Sequence, residues 1–162
     1  MTPEGHTIRT ATASDLPGIL VVQRNAFSRV ARAFGLAADG LPPLTETLED
    51  LERLAAEGTL FVVALAADGR ITGSVRGTPR DDTVEVGRLV VEDGFEGLGL
   101  GTALMEALES AFPDAARFEL FTGAEAERPL RLYARLGYRI YDRRQVAPGL
   151  ELVWLEKCRP AR

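Results

Sequence analysis

The stretch that decides the fold is Leu89-Val90-Val91-Glu92-Asp93-Gly94-Phe95-Glu96-Gly97-Leu98-Gly99-Leu100-Gly101-Thr102. Its apolar start is typical of a buried strand, and glycines follow at positions 94, 97, 99 and 101. Leu100, Leu104 and Leu108 then recur at helical spacing until Pro113. This order of strand, glycine loop and helix predicts an anion site. The first turn of a helix offers unpaired N–H groups and the positive end of its dipole, and glycines let the backbone approach a phosphate closely.

Two familiar phosphate-binding patterns do not fit this loop. A P-loop requires Lys after its last glycine, whereas Leu100 follows Gly99. A dinucleotide fingerprint requires a third glycine where Thr102 stands, and the loop lies past the middle of the chain, too late for a two-half Rossmann domain. A nucleotide-binding α/β domain is therefore disfavoured. An ordinary strand-to-helix turn without a ligand stays open at this point, since glycine also marks turns.

The same residues resemble the signature of the GNAT superfamily of N-acetyltransferases, Q/R-x-x-G-x-G/A after a strand, which falls here on Glu96 to Gly101. The strand, the two glycines and the helix match, whereas Glu96 replaces Gln or Arg. In that family the segment binds the pyrophosphate of acetyl-CoA. The resemblance therefore implies acetyl-CoA as co-substrate, without a metal. The residues expected to hold it are Leu89, Val90, Val91, Glu96, Gly97, Leu98, Gly99, Leu100, Gly101 and Thr102.

The resemblance also implies how the rest of acetyl-CoA is held. Its pantetheine arm is expected along the central strand, like an added strand. A backbone N–H of Leu89 or Val91 is expected to polarise the thioester carbonyl, because the backbone groups of alternate residues point the same way. The Asn or Ser that family members often have before the next helix is missing. The alternative partners of a CoA phosphate are Arg128, Arg131 and Arg135. The other interpretation of these arginines is a solvated helix face.

A second segment, Leu130 to Tyr138, resembles the LYxxxGF/Y segment of the same family. Leu132 and Leu136 are four residues apart and Gly137 suits the residue after a helix end, so the pattern alone predicts a helix followed by a strand. The motif match makes Tyr133 the candidate general acid, because a phenol can protonate the departing CoA thiolate. The alternative is a helical Tyr that packs only through its ring.

Glu85 is the candidate general base, because it interrupts an otherwise apolar strand. By counting back from the glycine loop, it coincides with the catalytic Glu of the histone-acetyltransferase branch of the family. We expect it to deprotonate the acceptor amine directly or through water. The alternative is a solvent-facing strand residue. The candidates for the acceptor pocket are Arg24, Phe27 and Arg76, and an arginine pair would suit an acceptor that carries a carboxylate.

Composition restricts the function further. A chain of 162 residues suffices for one domain, and its net charge of −5 argues against sequence-independent nucleic-acid binding. The single His6 excludes a His-rich metal site, and the single Cys158 excludes an intramolecular disulfide and is interpreted as a small buried residue. Without a signal peptide or a membrane-length apolar run, no membrane partner and a cytoplasmic location are expected. A homodimer stays open, since dimers are common in the family.

The order of elements predicts the fold class. We expect an α/β fold with a mixed, largely antiparallel central sheet of about seven strands, helices on both faces, and the glycine loop between the fourth strand and the third helix. Residues 31–43 are ambiguous, because they contain two glycines and two prolines. No linker or repeat is visible, so residues 1–162 are expected to form one domain.

The resulting functional hypothesis is an N-acetyltransferase. It moves acetyl from acetyl-CoA to a primary amine of a small molecule, an amino acid or a peptide or protein, by direct attack in a ternary complex. Two alternatives remain. One is a non-catalytic acyl-CoA-binding regulatory module, which the loss of the Gln or Arg at position 96 favours. The other is a transferase of a longer acyl group, which a volume change near Val90 or Leu120 would permit.

Overall fold

The computed structural model describes residues 2–37 and 41–160. Its strands are β1 His6–Thr10, β2 Leu60–Ala66, β3 Ile71–Arg80, β4 Thr83–Val91, β5 Arg117–Gly123, β6 Arg139–Ala147 and β7 Leu150–Cys158. Its helices are α1 Leu16–Phe34, α2 Pro42–Thr45, α3 Leu48–Ala56, α4 Leu100–Ala111 and α5 Glu127–Arg135, with a short 3₁₀ turn at Ala13–Asp15 before α1.

The strands form one sheet in the order β1-β2-β3-β4-β5-β7-β6. Among the described strands, only β4 and β5 pair in parallel, and α4 connects them. The predicted fold class is therefore confirmed. The glycine loop follows the fourth strand as expected. The helix after it is the fourth, because the ambiguous segment 31–43 contributes to α2. Residues 38–40 of that segment lie outside the described residues.

Helices cover both faces of the sheet, and the alternation of the strands separates two apolar cores. In β2, Val62 and Ala64 pack with α4 and α5, while Phe61 and Val63 pack with α1 and α3. A strand buried on both faces reads as a continuous apolar run, which is what the sequence of β2 shows. We call the two sides of the sheet the α4/α5 face and the α1/α3 face.

A β-bulge interrupts β4 next to the glycine loop. Gly87 pairs with Arg76 and Val90 pairs with Ser74, so two residues of β4 stand opposite one residue of β3. Arg88, the first of the two, has φ 55°, a left-handed conformation that an arginine rarely adopts. The bulge reverses which residues face which helices. Before the bulge, the even-numbered residues Val84 and Val86 pack on the α4/α5 face. After it, the odd-numbered residues Leu89 and Val91 pack on that face.

The parallel strands β4 and β5 separate after a short paired segment. Their ladder runs from Thr83 to Glu85 on β4, whereas β5 stays paired with β7 as far as Gly123. Glu92 donates its N–H to the Thr72 carbonyl of β3, so the N–H groups of the alternate residues Leu89 and Val91 point toward the β5 side. No described strand pairs with that edge of β4 beyond Glu85, which leaves a gap between the two strands.

One expectation about the surface is wrong. Cys158 ends β7 and is exposed rather than buried, because its strand leaves the core at that point and the side chain faces outward next to Glu156. Among the described residues, no helix is both long and apolar enough to cross a membrane.

Candidate active site

The glycine loop forms an open cradle at the start of α4. Gly97 has φ 80° and Gly99, the residue before the helix, has φ 85°, a conformation that glycine adopts without strain. A Cβ added at Gly97 would meet no atom within 4 Å. No described residue accepts a hydrogen bond from the N–H groups of Leu100, Gly101 or Thr102. The cradle therefore offers the unpaired donors and the space that a pyrophosphate requires.

Glu96, which departs from the family signature, is neutralised by arginines from two distant helices. Its Oε1 lies 3.4 Å from Nη2 of Arg29 on α1, and its Oε2 lies 3.1 Å from Nη1 of Arg128 on α5. Arg29 also donates to the Val91 carbonyl at 3.1 Å. Of the three arginines that the sequence offered for a CoA phosphate, Arg128 reaches the loop, whereas Arg131 pairs with Glu127. Two cations thus stand beside the cradle.

Tyr133 lies on the α4/α5 face and is almost fully buried, with 7% of its surface exposed. Burial raises the pKa of its phenol well above the ordinary value near 10, because a buried phenolate loses its hydration. The hydroxyl makes no hydrogen bond with any described residue, yet it is not among the fully enclosed polar atoms. It is therefore a protonated group that is still accessible from outside.

A cavity of about 330 Å³ opens on the opposite, α1/α3 face of the sheet, above the gap between β4 and β5. This volume is in the range of small-molecule sites. Its walls combine residues of β3, β4 and β5 with two residues from neighbouring elements, and several of the strand residues are charged. They are Leu54, Arg76, Thr78, Arg80, Glu85, Val86, Gly87, Arg88, Glu119, Leu120, Phe121 and Trp154.

Glu85 stands where the gap begins. It is the last residue of β4 that pairs with β5, directly opposite Glu119, and both line the cavity. Its Oε1 lies 3.2 Å from Nη1 of Arg80, and 39% of its side chain is exposed. Glu119 is held more firmly, at 2.8 Å from Nη1 of Arg117 and 3.0 Å from the Tyr141 hydroxyl. Of the two carboxylates, Glu85 thus has the more exposed arginine partner, because Arg80 is more exposed than Arg117.

Arg76 is the one acceptor-pocket candidate that the structure places in the cavity wall. Its guanidinium already binds a carboxylate of the protein. It binds both carboxylate oxygens of Glu46, at 2.8 and 3.0 Å. Gln23 donates to the same carboxylate at 2.8 Å. Burial alone would raise the pKa of Glu46, but these hydrogen bonds outweigh it and lower the pKa. Arg24 donates to the Glu46 backbone carbonyl, and Phe27, like Arg24, is not among the residues lining the cavity.

Sequence reasoning missed several charged residues of this site, namely Arg29, Glu46, Arg80, Arg88 and Glu119. Arg88 carried a signal, because it interrupts an apolar strand as Glu85 does. Without the bulge the two side chains would lie on opposite faces, so the spacing alone concealed their common cavity. Glu46 follows a proline-rich segment without periodicity, and no local pattern marked it.

The family of the chain is shown by its match to a known protein family. The profile of the acetyltransferase (GNAT) family matches residues 27–138, which is most of the chain. The chain belongs to this family, whose members transfer acetyl from acetyl-CoA to an amine. The predicted family, the predicted class of enzyme and the predicted acetyl donor are thereby confirmed. A search of curated proteins by sequence found no match.

Solved structures share the fold at low sequence identity. PaiA N-acetyltransferase from Thermoplasma acidophilum, in complex with coenzyme A, has a TM-score of 0.81 at 16% identity over 95% of this chain and 99% of that one. The ribosomal-protein-S18-alanine N-acetyltransferase from Escherichia coli has 0.77 at 18% over 94% and 93%. A phosphinothricin acetyltransferase from Sinorhizobium meliloti, in complex with acetyl-CoA, has 0.75 at 18% over 95% and 88%. Such identities show the fold alone.

Proposed function

We propose that this chain transfers acetyl directly from acetyl-CoA to a primary amine, with both substrates bound at once across the β4–β5 gap. The carrying observation is the position of that gap. On one side lies Tyr133 of the α4/α5 face, and on the other lies the cavity that contains Glu85. A thioester held between the two strands would have a proton acceptor on one side and a proton donor on the other, which suits direct transfer.

The donor would be held by backbone groups at both of its ends. The glycine cradle would take the pyrophosphate, with Arg29 and Arg128 beside it. The N–H groups of Leu89 and Val91 face the gap, where they can bind the pantetheine arm and donate to the thioester oxygen. Acetyl-CoA supplies the activated acyl group, and this chain supplies orientation and proton transfer.

The acceptor must lose a proton before it can attack. A lysine-like amine has a pKa of about 10.4, so at neutral pH only a small fraction is neutral. Glu85 lies at the mouth of the gap, half exposed, where it can take that proton directly or through water. The acceptor class is a primary amine of a small molecule, an amino acid or a peptide. Three further expectations remain predictions, namely a single domain over residues 1–162, a cytoplasmic location and a homodimer.

Replacing Glu85 with Gln tests this function. We expect kcat/KM toward a primary amine to fall by about a hundredfold at pH 7, the size typical of a lost general base. The loss should shrink as the pH approaches the pKa of the amine, because the neutral nucleophile then forms without help. Initial rates with acetyl-CoA and a panel of amines between pH 6.5 and 10 would measure both effects.

The matched control is Glu119→Gln, which removes the carboxylate opposite Glu85 in the same cavity. If Glu119→Gln gave the larger and pH-dependent loss, the base would be Glu119. If neither variant changed the pH profile, no carboxylate would act as base. Acetyl-CoA binding without turnover of any amine would instead favour a regulatory acyl-CoA-binding module.

The charge of Glu96 gives a second test. A carboxylate beside a bound pyrophosphate repels it, and it also occupies Arg29 and Arg128. Because Glu96 is 42% exposed, we expect only a modest effect, with Glu96→Gln lowering the Kd for acetyl-CoA about threefold to fivefold at low salt. Titration calorimetry at two ionic strengths would measure it, and the gain should shrink at high salt.

Glu127→Gln is the control for that measurement. It makes the same charge change in the residue next to Arg128, but its carboxylate is 83% exposed and pairs with Arg131. Equal gains from both variants would mean that net charge, rather than the place of Glu96 in the cradle, sets the affinity. A weaker Kd for Glu96→Gln would mean that the Glu96 contacts hold the loop in its binding conformation.

A further inference from the structure

The two terminal nitrogens of Arg88 have no hydrogen-bond partner among the described residues, although its Nε forms a long ion pair with Glu46. Its Nε is enclosed and lies 3.6 Å from Oε1 of Glu46, which is beyond hydrogen-bond distance. No described residue accepts a hydrogen bond from its two terminal nitrogens, which are not among the fully enclosed atoms. Only 19% of the side chain is exposed, and it lines the cavity. A largely buried guanidinium whose terminal nitrogens lack an acceptor is unfavourable unless a further anion binds them.

Glu46 lies near Nε of Arg88 and does not accept a hydrogen bond from its terminal nitrogens. Its two carboxylate oxygens already accept both hydrogen bonds of Arg76 and one from Gln23, and Arg88 lies only at the edge of the group. Burial and the nearby Arg76 lower the pKa of Arg88 more than Glu46 raises it, so Glu46 compensates this cation only in part. The cluster of Arg76, Arg88 and Glu46 therefore carries one positive charge in excess. The guanidinium fork whose two terminal nitrogens have no acceptor among the described residues is that of Arg88.

The β-bulge directs that fork into the acceptor cavity. Because residues 88 and 89 stand opposite one residue of β3, Arg88 lies on the same face as Glu85. The left-handed φ of 55° at Arg88 is unfavourable for any residue with a Cβ, and such strain is often found at functional sites. Arg88 lies three positions after Glu85 in the chain, so a cation-binding and an anion-binding group lie within about 10 Å along the strand.

We propose that the natural acceptor carries a carboxylate as well as its amine, and that Arg88 binds this carboxylate while the amine lies at Glu85. The proposal rests on the proposed function, whose acceptor class it narrows to amino acids and related amino carboxylates. A guanidinium fork matches a carboxylate with two parallel hydrogen bonds. A phosphate dianion fits less well, because only one positive charge is in excess and the carboxylates of Glu46, Glu85 and Glu119 surround the site.

The experiment compares acceptors in pairs. Amino acids and ω-amino acids such as β-alanine are each measured against their own primary amide, with wild-type protein and Arg88→Gln. We expect wild type to prefer at least one amino carboxylate over its amide by roughly tenfold to a hundredfold in kcat/KM. The ratio should approach one in Arg88→Gln and be intermediate in Arg88→Lys, which keeps the charge but loses the fork. Comparing ratios between variants cancels the intrinsic reactivity of each amine.

Arg53→Gln is the matched control, because Arg53 pairs with Asp50 on the exposed side of α3 and does not line the cavity, so its removal should leave the ratio as in wild type. Turnover of amines with a ratio of one in wild type would overturn this inference and leave the proposed function standing. A preference for phosphoethanolamine over β-alanine would overturn the choice of a carboxylate. No turnover of any amine would overturn the proposed function itself. Thermal unfolding with acetyl-CoA would show that each variant is folded.

Discussion

Replacing Tyr133 with Phe should lower kcat by about a hundredfold or more, while the Kd for acetyl-CoA changes by less than about threefold. The phenol is the group that we propose to protonate the departing thiolate, and loss of a general acid typically has an effect of this size. The variant should fold as well as wild type. The Tyr133 hydroxyl makes no hydrogen bond with any described residue, so its removal leaves no partner unsatisfied and the ring keeps its packing.

The chain offers a matched control in Tyr138, whose ring centre lies 5.9 Å from that of Tyr133. Its hydroxyl donates to Oε2 of Glu109 at 2.9 Å, inside the core. Tyr138→Phe should therefore show the opposite pattern, with a loss of about 1–2 kcal/mol in the free energy of unfolding and no specific loss of kcat. Single-turnover rates and thermal unfolding of both variants separate the two roles. Unchanged kcat in Tyr133→Phe would remove Tyr133 as the acid.

The pH dependence follows from the environment of Tyr133. Burial raises the pKa of its phenol, because the neutral form is favoured where the phenolate cannot be hydrated. The proton donor is thus present below that raised pKa and is lost only above it, beyond the ordinary value near 10. We expect no fall in kcat from Tyr133 between pH 7 and 10. A basic limb in that range which disappeared in Tyr133→Phe would contradict the assigned pKa direction.

Local sequence patterns were sufficient to predict the secondary-structure elements that carry this site. The glycine loop, the helix after it and the helix that carries Tyr133 are each encoded within about fifteen neighbouring residues, by helical spacing and by glycines where φ is positive. Such signals do not depend on the rest of the chain. That is why the fold class and the family could be predicted from the sequence.

The charge pairs of the site could not be predicted, because they join residues far apart in the chain. Glu96 meets Arg29 and Arg128 across 67 and 32 positions, and Arg76 meets Glu46 across 30. Arg88 reaches the cavity only because the pairing register of β3 with β4 slips by one residue. Register depends on how two strands pack, so the pattern of one strand does not reveal it.

The largest effect on acetyl-CoA binding should come from Gly97→Ala and Gly99→Ala. Both glycines have a left-handed φ, near 80°, at which a Cβ costs about 1–2 kcal/mol. The space around Gly97 is open, so a new methyl group would not clash within the protein. Instead, relief of the strain would turn the neighbouring N–H groups away from the cradle. Losing one or two charge-assisted hydrogen bonds to a phosphate should raise the Kd roughly tenfold to a hundredfold in each variant.

Gly94→Ala distinguishes strain from phosphate binding. Gly94 has φ 91° in the same loop and no atom within 4 Å of an added Cβ, so its substitution should lower the melting temperature as much as the other two. It stands outside the segment 96–101, and its Kd for acetyl-CoA should stay within about threefold of wild type. If all three variants lost stability and affinity together, the loop would act only through its rigidity. A loss of affinity confined to positions 97 and 99 requires their backbone to contact the ligand, because the conformational strain is common to all three.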